Sequence, residues 1–305
     1  MLTRLRIGTR ASKLARAQAE MVRAALALAY PGLAIEIVAM TTAGDRELHK
    51  QLTDWGYKGL FTKELEDGLL GGTIDIAVHS MKDMPSVLPN GLVLAAMLPR
   101  ADVRDAWVSP HYTTLTEAPQ GARVGTSSAR RAAQLLYARR DITVVPLRGN
   151  VQTRLDKIVA GEAQATFLAA AGLMRLGLDH HIRTLLSPEA FLPAVAQGAI
   201  GIECRADDAD IQTLIAALND GDTMACVTAE RAMLLVLDGS CRTPIAGLAT
   251  LEGHRMHLRG EVLSLDGSIR HAQSLVGDRA DAEKLGTTLG AALRAQAGEA
   301  LLTHG

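Results

Sequence analysis

Aromatic residues make up only 3% of the 305 residues: three Phe, two Trp and four Tyr. That is too few rings for the stacking platforms that hold single-stranded nucleic acid, and Ala and Leu are expected to fill the cores instead. Cysteine is equally scarce. Cys204, Cys226 and Cys241 are odd in number and widely spaced, which fits neither a disulfide framework nor a zinc pattern. No apolar run approaches the ~20 residues of a membrane span. The opening stretch MLTRLRIGTRASKLARAQAE has no signal-peptide core. Net charge is −1, so no bulk field draws the chain to nucleic acid or an anionic membrane. The expectation is a cytoplasmic protein with free thiols, and with neither nucleic acid nor membrane as partner.

What is present is an ordinary globular composition, 48% hydrophobic and 21% charged, on a chain long enough for two or three domains. Strand and helix signals alternate over the first hundred residues. LRIGTR, LAIEIVAM and TIDIAVHS read as strands. A helix follows with Ser12 at its N-cap, and KGLFTKELEDGLLGG reads as another, closed by glycines. LPRADVRDAWVS looks like a hinge. A second unit then repeats the style, from ARVGTSS through LAAAGLMRLG. From about Gly221 the pattern changes to one helix, short strands and a final helix. The expected fold is therefore two α/β lobes plus a small C-terminal α+β domain.

Open α/β sheets bind ligands where loops leave the carboxyl ends of the strands. Arg10 and Ser12 follow the first strand, and Ser80, Lys82 and Asp83 follow TIDIAVHS. Thr126, Ser128, Arg130 and Arg131 follow ARVG, and Arg148 and Arg154 follow ITVVPL. Arg175 ends the next helix signal. Of the 32 basic residues 25 are Arg, and Arg forks pair carboxylate or phosphate two-pronged. No P-loop or G-x-G-x-x-G motif occurs in register, so spaced carboxylates fit this set better than a phosphate does. Asp83 is a carboxylate among cations and can stabilise positive charge or handle protons. His79 reads as a packed strand residue. Cys241 sits in a loop, LDGSCRTPI, between small residues, where a thiol is exposed enough to react. These residues alone leave three readings open: an enzyme, a binding protein that clamps a carboxylated ligand, or a phosphate-ligand transferase.

The runs IGTRASKLARAQ, TTAGDR, KGLFTKELE, DIAVHSMKDMP, VGTSSARR, LRGNVQTRL, QGAIGIECR and AERAMLLVLDGSCRTPI occur in this order. Taken together, they resemble the porphobilinogen deaminase (hydroxymethylbilane synthase) family. The resemblance implies two lobes built like periplasmic binding proteins of type II, and a third, small α+β domain. It implies boundaries of 1–99 with 198–218, 103–194, and 221–305. It implies a monomeric transferase of heme and tetrapyrrole biosynthesis. Such an enzyme joins four porphobilinogen molecules with loss of ammonia on a dipyrromethane cofactor and releases hydroxymethylbilane hydrolytically. Cys241 would carry that cofactor as a thioether, and Asp83 would be the catalytic carboxylate. Lys82, Ser80, Thr126, Ser128, Arg130, Arg131 and Arg148 would bind the cofactor. Arg10, Ser12, Gln18, Arg148, Arg154 and Arg175 would bind substrate, and no metal is called for. The sequence departs from the family pattern at Tyr57, Ala196 and Ser240, where glycine is usual.

Overall fold

The computed structural model describes residues 2–42, 62–237 and 243–303. The first elements are β1 (Arg4–Arg10), α1 (Lys13–Ala29), β2 (Ala34–Met40), α2 (Lys63–Leu70), β3 (Ile76–Ser80) and β4 (Leu92–Met97). Next come β5 (Asp105–Val108), β6 (Arg123–Gly125), α3 (Ala129–Ala138), β7 (Thr143–Val145), α4 (Val151–Val159), β8 (Ala165–Ala169), α5 (Ala170–Arg175) and β9 (Thr184–Leu185). The chain continues through β10 (Ile200–Arg205), α6 (Ala209–Ala216) and α7 (Gly221–Val236). It ends with β11 (Ile245–Glu252), β12 (Arg255–Leu263), β13 (Arg270–Asp278) and α8 (Ala282–Thr303).

By contacts the chain divides into two compact units, residues 1–101 with 199–224, and 102–198 with 225–305. The first unit holds a five-stranded sheet in the order β2-β1-β3-β10-β4. β1 pairs parallel with β2 and β3, and β10 inserts antiparallel between β3 and β4. Helix α1 supports it with Ala15, Ala19, Val22 and Leu26, all buried and spaced for one helix face. Ala19, Val22 and Leu26 pack with Leu5, Ile7, Ile76, Val78, Ile200 and Ile202. Ser12 caps α1 by accepting from the Ala15 N–H, as its place before the apolar run requires.

The second unit carries two sheets. One is five-stranded, in the order β7-β6-β8-β5-β9, with β6, β7 and β8 parallel and β5 antiparallel beside β8. This repeats the strand order of the first unit: in each, a strand distant in sequence runs antiparallel in the fourth position. That duplicated order is the periplasmic-binding-protein (type II) arrangement. The other sheet is the antiparallel meander β11-β12-β13, with α8 packed against it. Residues of both the expected second lobe and the expected small domain thus lie in one compact unit.

Two expectations change. LPRADVRDAWVS is not all hinge, because its second half is β5, with four buried residues. The acidic Asp105 made the segment read as polar, yet its carboxylate is neutralised inside the fold. Ala and Leu do not fill every core either. Trp107 packs at a tilt against Phe167, 5.3 Å between ring centroids, and Phe167 stacks at 5.0 Å on Phe191, so three of the nine aromatics build one core cluster in this unit.

Candidate active site

In the first unit β1 and β3 run parallel, so Arg10 and Ser80 leave the sheet at the same edge. A short 3-10 turn, Met81–Asp83, carries the chain on from β3. Met81 is buried and anchors this turn, leaving Lys82 and Asp83 exposed. A side chain at Gly201 on β10 would collide with the Met81 sulfur, which is why QGAIGIECR needs glycine there. Arg10, Ser12, Gln18, Ser80, Asp83 and His79 line one cavity. Buried Gln18 fixes Ser80, its Nε2 donating to Ser80 Oγ at 2.8 Å while Oγ lies 3.0 Å from Oε1. Five of the residues singled out in sequence therefore share one cavity.

In the second unit the parallel strands β6, β7 and β8 deliver their loops to one edge. Thr126 Oγ1 accepts from the Ser128 N–H at 3.2 Å, and Ser128 caps α3 by accepting from the Arg131 N–H. The start of α3 thus has the built form of an anion-facing helix end. Asn150 caps α4 in the same way. Gly149, at a φ of +122° that side-chain-bearing residues avoid, turns its carbonyl to accept from Arg154 Nε at 2.8 Å.

Arg130 and Arg131 differ from the picture of open ligand forks. Both are buried around Asp105, with Arg130 Nη2 at 2.8 Å and Arg131 Nη2 at 2.6 Å from its two oxygens. Arg130 also donates to the Leu192 carbonyl at 3.0 Å, and Arg131 to the Phe167 carbonyl at 2.9 Å. Burial pulls the Arg130 guanidinium below its ordinary value, although Asp105 counters this. Gln134 on α3 donates to Glu261 on β12, extending the polar chain to the meander. The group keeps one net positive charge beside the α3 N-terminus from its two Arg and one Asp.

Arg175 donates to the Gly198 carbonyl at 2.7 Å, and burial lowers its pKa. Its Nε, and the Oγ of Ser127, are buried with no partner among the described residues. Orphaned donors of this kind are costly to leave unmet and suit carboxylate oxygens, so this edge fits a polycarboxylate cofactor. Cys241, Ser240 and Tyr57 lie outside the described residues. Cys204 is a buried core thiol pushed up to about 11 by burial, and Cys226 is buried as well. Among the described residues no group of His, Cys, Asp or Glu could hold a metal ion, and no helix is long and apolar enough to cross a membrane.

Sequence reasoning missed Asp105, Glu203 and Glu66. Glu203 interrupts the apolar run GIECR and Asp105 opens the buried run DAWV; an acid inside a strand pattern was the available signal.

Two family models match: the "Porphobilinogen deaminase, dipyromethane cofactor binding domain" over residues 5–213, and the "Porphobilinogen deaminase, C-terminal domain" over 224–295. A porphobilinogen deaminase of Paracoccus denitrificans is 56% identical over 96% of this chain and 94% of its own length. One of Nitrobacter hamburgensis is 50% identical over 97% and 95%. Among solved structures, a nutrient-binding protein of Burkholderia cenocepacia bound to methionine is 14% identical, with a TM-score of 0.45 over 70% of this chain and 91% of its own. The near-complete match to the two sequence relatives and to both family models settles the matter: the chain belongs to the porphobilinogen deaminase family, transferases that join four porphobilinogen molecules on a covalent dipyrromethane and release hydroxymethylbilane by hydrolysis.

Proposed function

We propose that Asp83 is the carboxylate on which this chemistry turns. The observation that carries the reading is its exposed position on the cavity that Arg10, Ser12, Gln18 and Ser80 also line. There it would face the positive charge that develops on the substrate's methylene carbon as ammonia departs, and would stabilise it electrostatically. Arg10, Ser12 and Gln18 would hold substrate carboxylates at this edge, with Arg148, Arg154 and Arg175 doing so in the second unit. Lys82, Ser80, Thr126, Ser128, Arg130, Arg131 and Arg148 would hold the cofactor carboxylates, the Arg130–Asp105–Arg131 group acting as a fixed positive centre. Dipyrromethane, bound as a thioether to Cys241, would supply the acceptor pyrrole. We further propose three working domains with the boundaries given above, a monomer, and a cytoplasmic setting in which the buried thiols Cys204 and Cys226 stay reduced.

The test is Asp83→Asn. Because the side chain is exposed, the variant should fold and keep the cofactor mass in intact-protein spectrometry. Its turnover should fall about 10²- to 10⁴-fold, the usual range for a lost proton-handling or charge-stabilising group. Turnover close to that of the unmodified enzyme would refute the role. Size-exclusion chromatography and cell fractionation test the monomer and the location.

A further inference from the structure

The Asp83 cavity has a second chemical resource in its wall. His79 lines it, yet the side chain is only 4% exposed and its Nε2 lies 2.9 Å from Glu203 Oε2, itself 0% exposed. His79 and Ala77 pair with Gly201 and Glu203 across β3 and β10, so imidazole and carboxylate share one sheet face. Glu66 comes from α2 to the same cluster and is buried too. Glu203 Oε1 and Glu66 Oε1 have no hydrogen-bond partner among the described residues. Burial is the main reason Glu66 sits above the ordinary carboxylate range, and the neighbouring Glu203 adds to it.

Two carboxylates and one imidazole cannot all be fully deprotonated in such a place, because two uncompensated buried charges would cost several kcal/mol. With a single proton shared among the three groups, the cluster carries one negative charge. Uptake of one proton makes it neutral, and a low-dielectric setting favours that change. The other charged groups facing it are Arg10 and Asp83, which line the same cavity, and Asp67 on α2, which acts on Glu66.

The reaction produces such a proton. Each condensation breaks one C–N bond of the substrate and one C–H bond of the acceptor ring, and forms one C–C bond. The C–N electron pair leaves on nitrogen, so the amine that entered as ammonium departs as ammonia. The C–H pair stays in the ring, and its proton needs a base before it reaches ammonia in solvent. We propose that His79, Glu203 and Glu66 form a proton relay in the wall of the Asp83 cavity, with His79 taking up the proton that each condensation sets free. The proposal rests on chemistry taking place at the Asp83 cavity; Asp83→Asn tests that reading separately.

The direct experiment is a side-chain nitrogen NMR titration of His79 in the whole enzyme, assigned by its loss in His79→Gln. The titration is run from about pH 5 to 9, and proton uptake at His79 should shift its ring nitrogen signals within it. In Glu203→Gln the midpoint should move down, since the imidazolium loses its carboxylate partner. The pH profile of kcat should show a limb at the same midpoint that moves with Glu203→Gln and disappears in His79→Gln, with turnover lowered at least about tenfold. Cofactor mass and melting temperature identify variants that fold. An imidazole whose signals do not change across that window would overturn the proposal, and this needs no variant to be active. So would a folded Glu203→Gln enzyme whose kcat profile stays superimposable on the original.

Discussion

The two units place acids on adjacent positions of the same strand order, the third strand in one and the fourth in the other, and use them in opposite ways. In the first, Asp83 stands exposed just beyond β3, on a turn held by buried Met81. In the second, Asp105 on β5 is wholly buried and taken up by Arg130 and Arg131. One carboxylate is open to a ligand. The other fixes two guanidinium groups and, through Gln197 at 3.2 Å, the segment that leads back to the first unit. The lesson is that an arginine at a strand end can serve as framework and as charge source together. Its pairing, not its position, decides how much of it a ligand can reach.

The largest effect should come from breaking the framework side of this contrast. Asp105→Ala would leave two buried guanidinium groups with no carboxylate and should cost about 3–5 kcal/mol, seen as a large fall in the urea midpoint. Replacing all three together, Asp105→Leu with Arg130→Met and Arg131→Met, should recover much of that loss, because a well-packed apolar substitute for a buried ion group is often neutral or better. If the pair also serves the cofactor, the recovered fold should still lack the cofactor mass. A triple variant that folds and is fully loaded would show the group to be framework alone.

A smaller effect is expected in the first unit from Glu66→Gln. A carboxyl raised in the folded state holds protons that the unfolded chain gives up, so its contribution is lost as pH rises from the ordinary carboxylate value through the folded one. The variant should therefore gain stability relative to the parent on going from acid to neutral pH, measured by melting at several pH values. A constant gap would show that Glu66 titrates normally. The smallest change belongs to Ala196→Gly. Ala196 has a φ of +59°, where an L residue is strained by about 1–2 kcal/mol; the greater freedom of Gly in the unfolded chain offsets roughly 0.4–1 of that. A net gain of up to about 1.5 kcal/mol is expected, and a loss would show that the methyl group packs usefully in its buried position.

Much of this was written locally. The Ser12 and Ser128 caps, the apolar spacing of α1, and the delivery of Arg10, Ser80 and Asp83 by strand ends follow from short-range rules. What the sequence hides is pairing at long separation. Nothing within DAWV reveals that Asp105 meets Arg130 and Arg131, and nothing near His79 announces Glu203, 124 residues away. Strand β5 resembles a hinge in sequence for the same reason, since an acid looks like a loop until its partners are known. His79 is packed, as its strand position implies, and packing is compatible with a carboxylate partner.

The position of β10 has a consequence for synthesis. β3 and β4 both pair with β10 rather than with each other, and β10 is encoded about a hundred residues after β4. At roughly 5–20 residues per second, a ribosome leaves the apolar edges of β3 and β4 without their central neighbour for about 5–20 s. In that interval the nascent first unit cannot close, and its bare strand edges are what a chaperone or another nascent chain would meet.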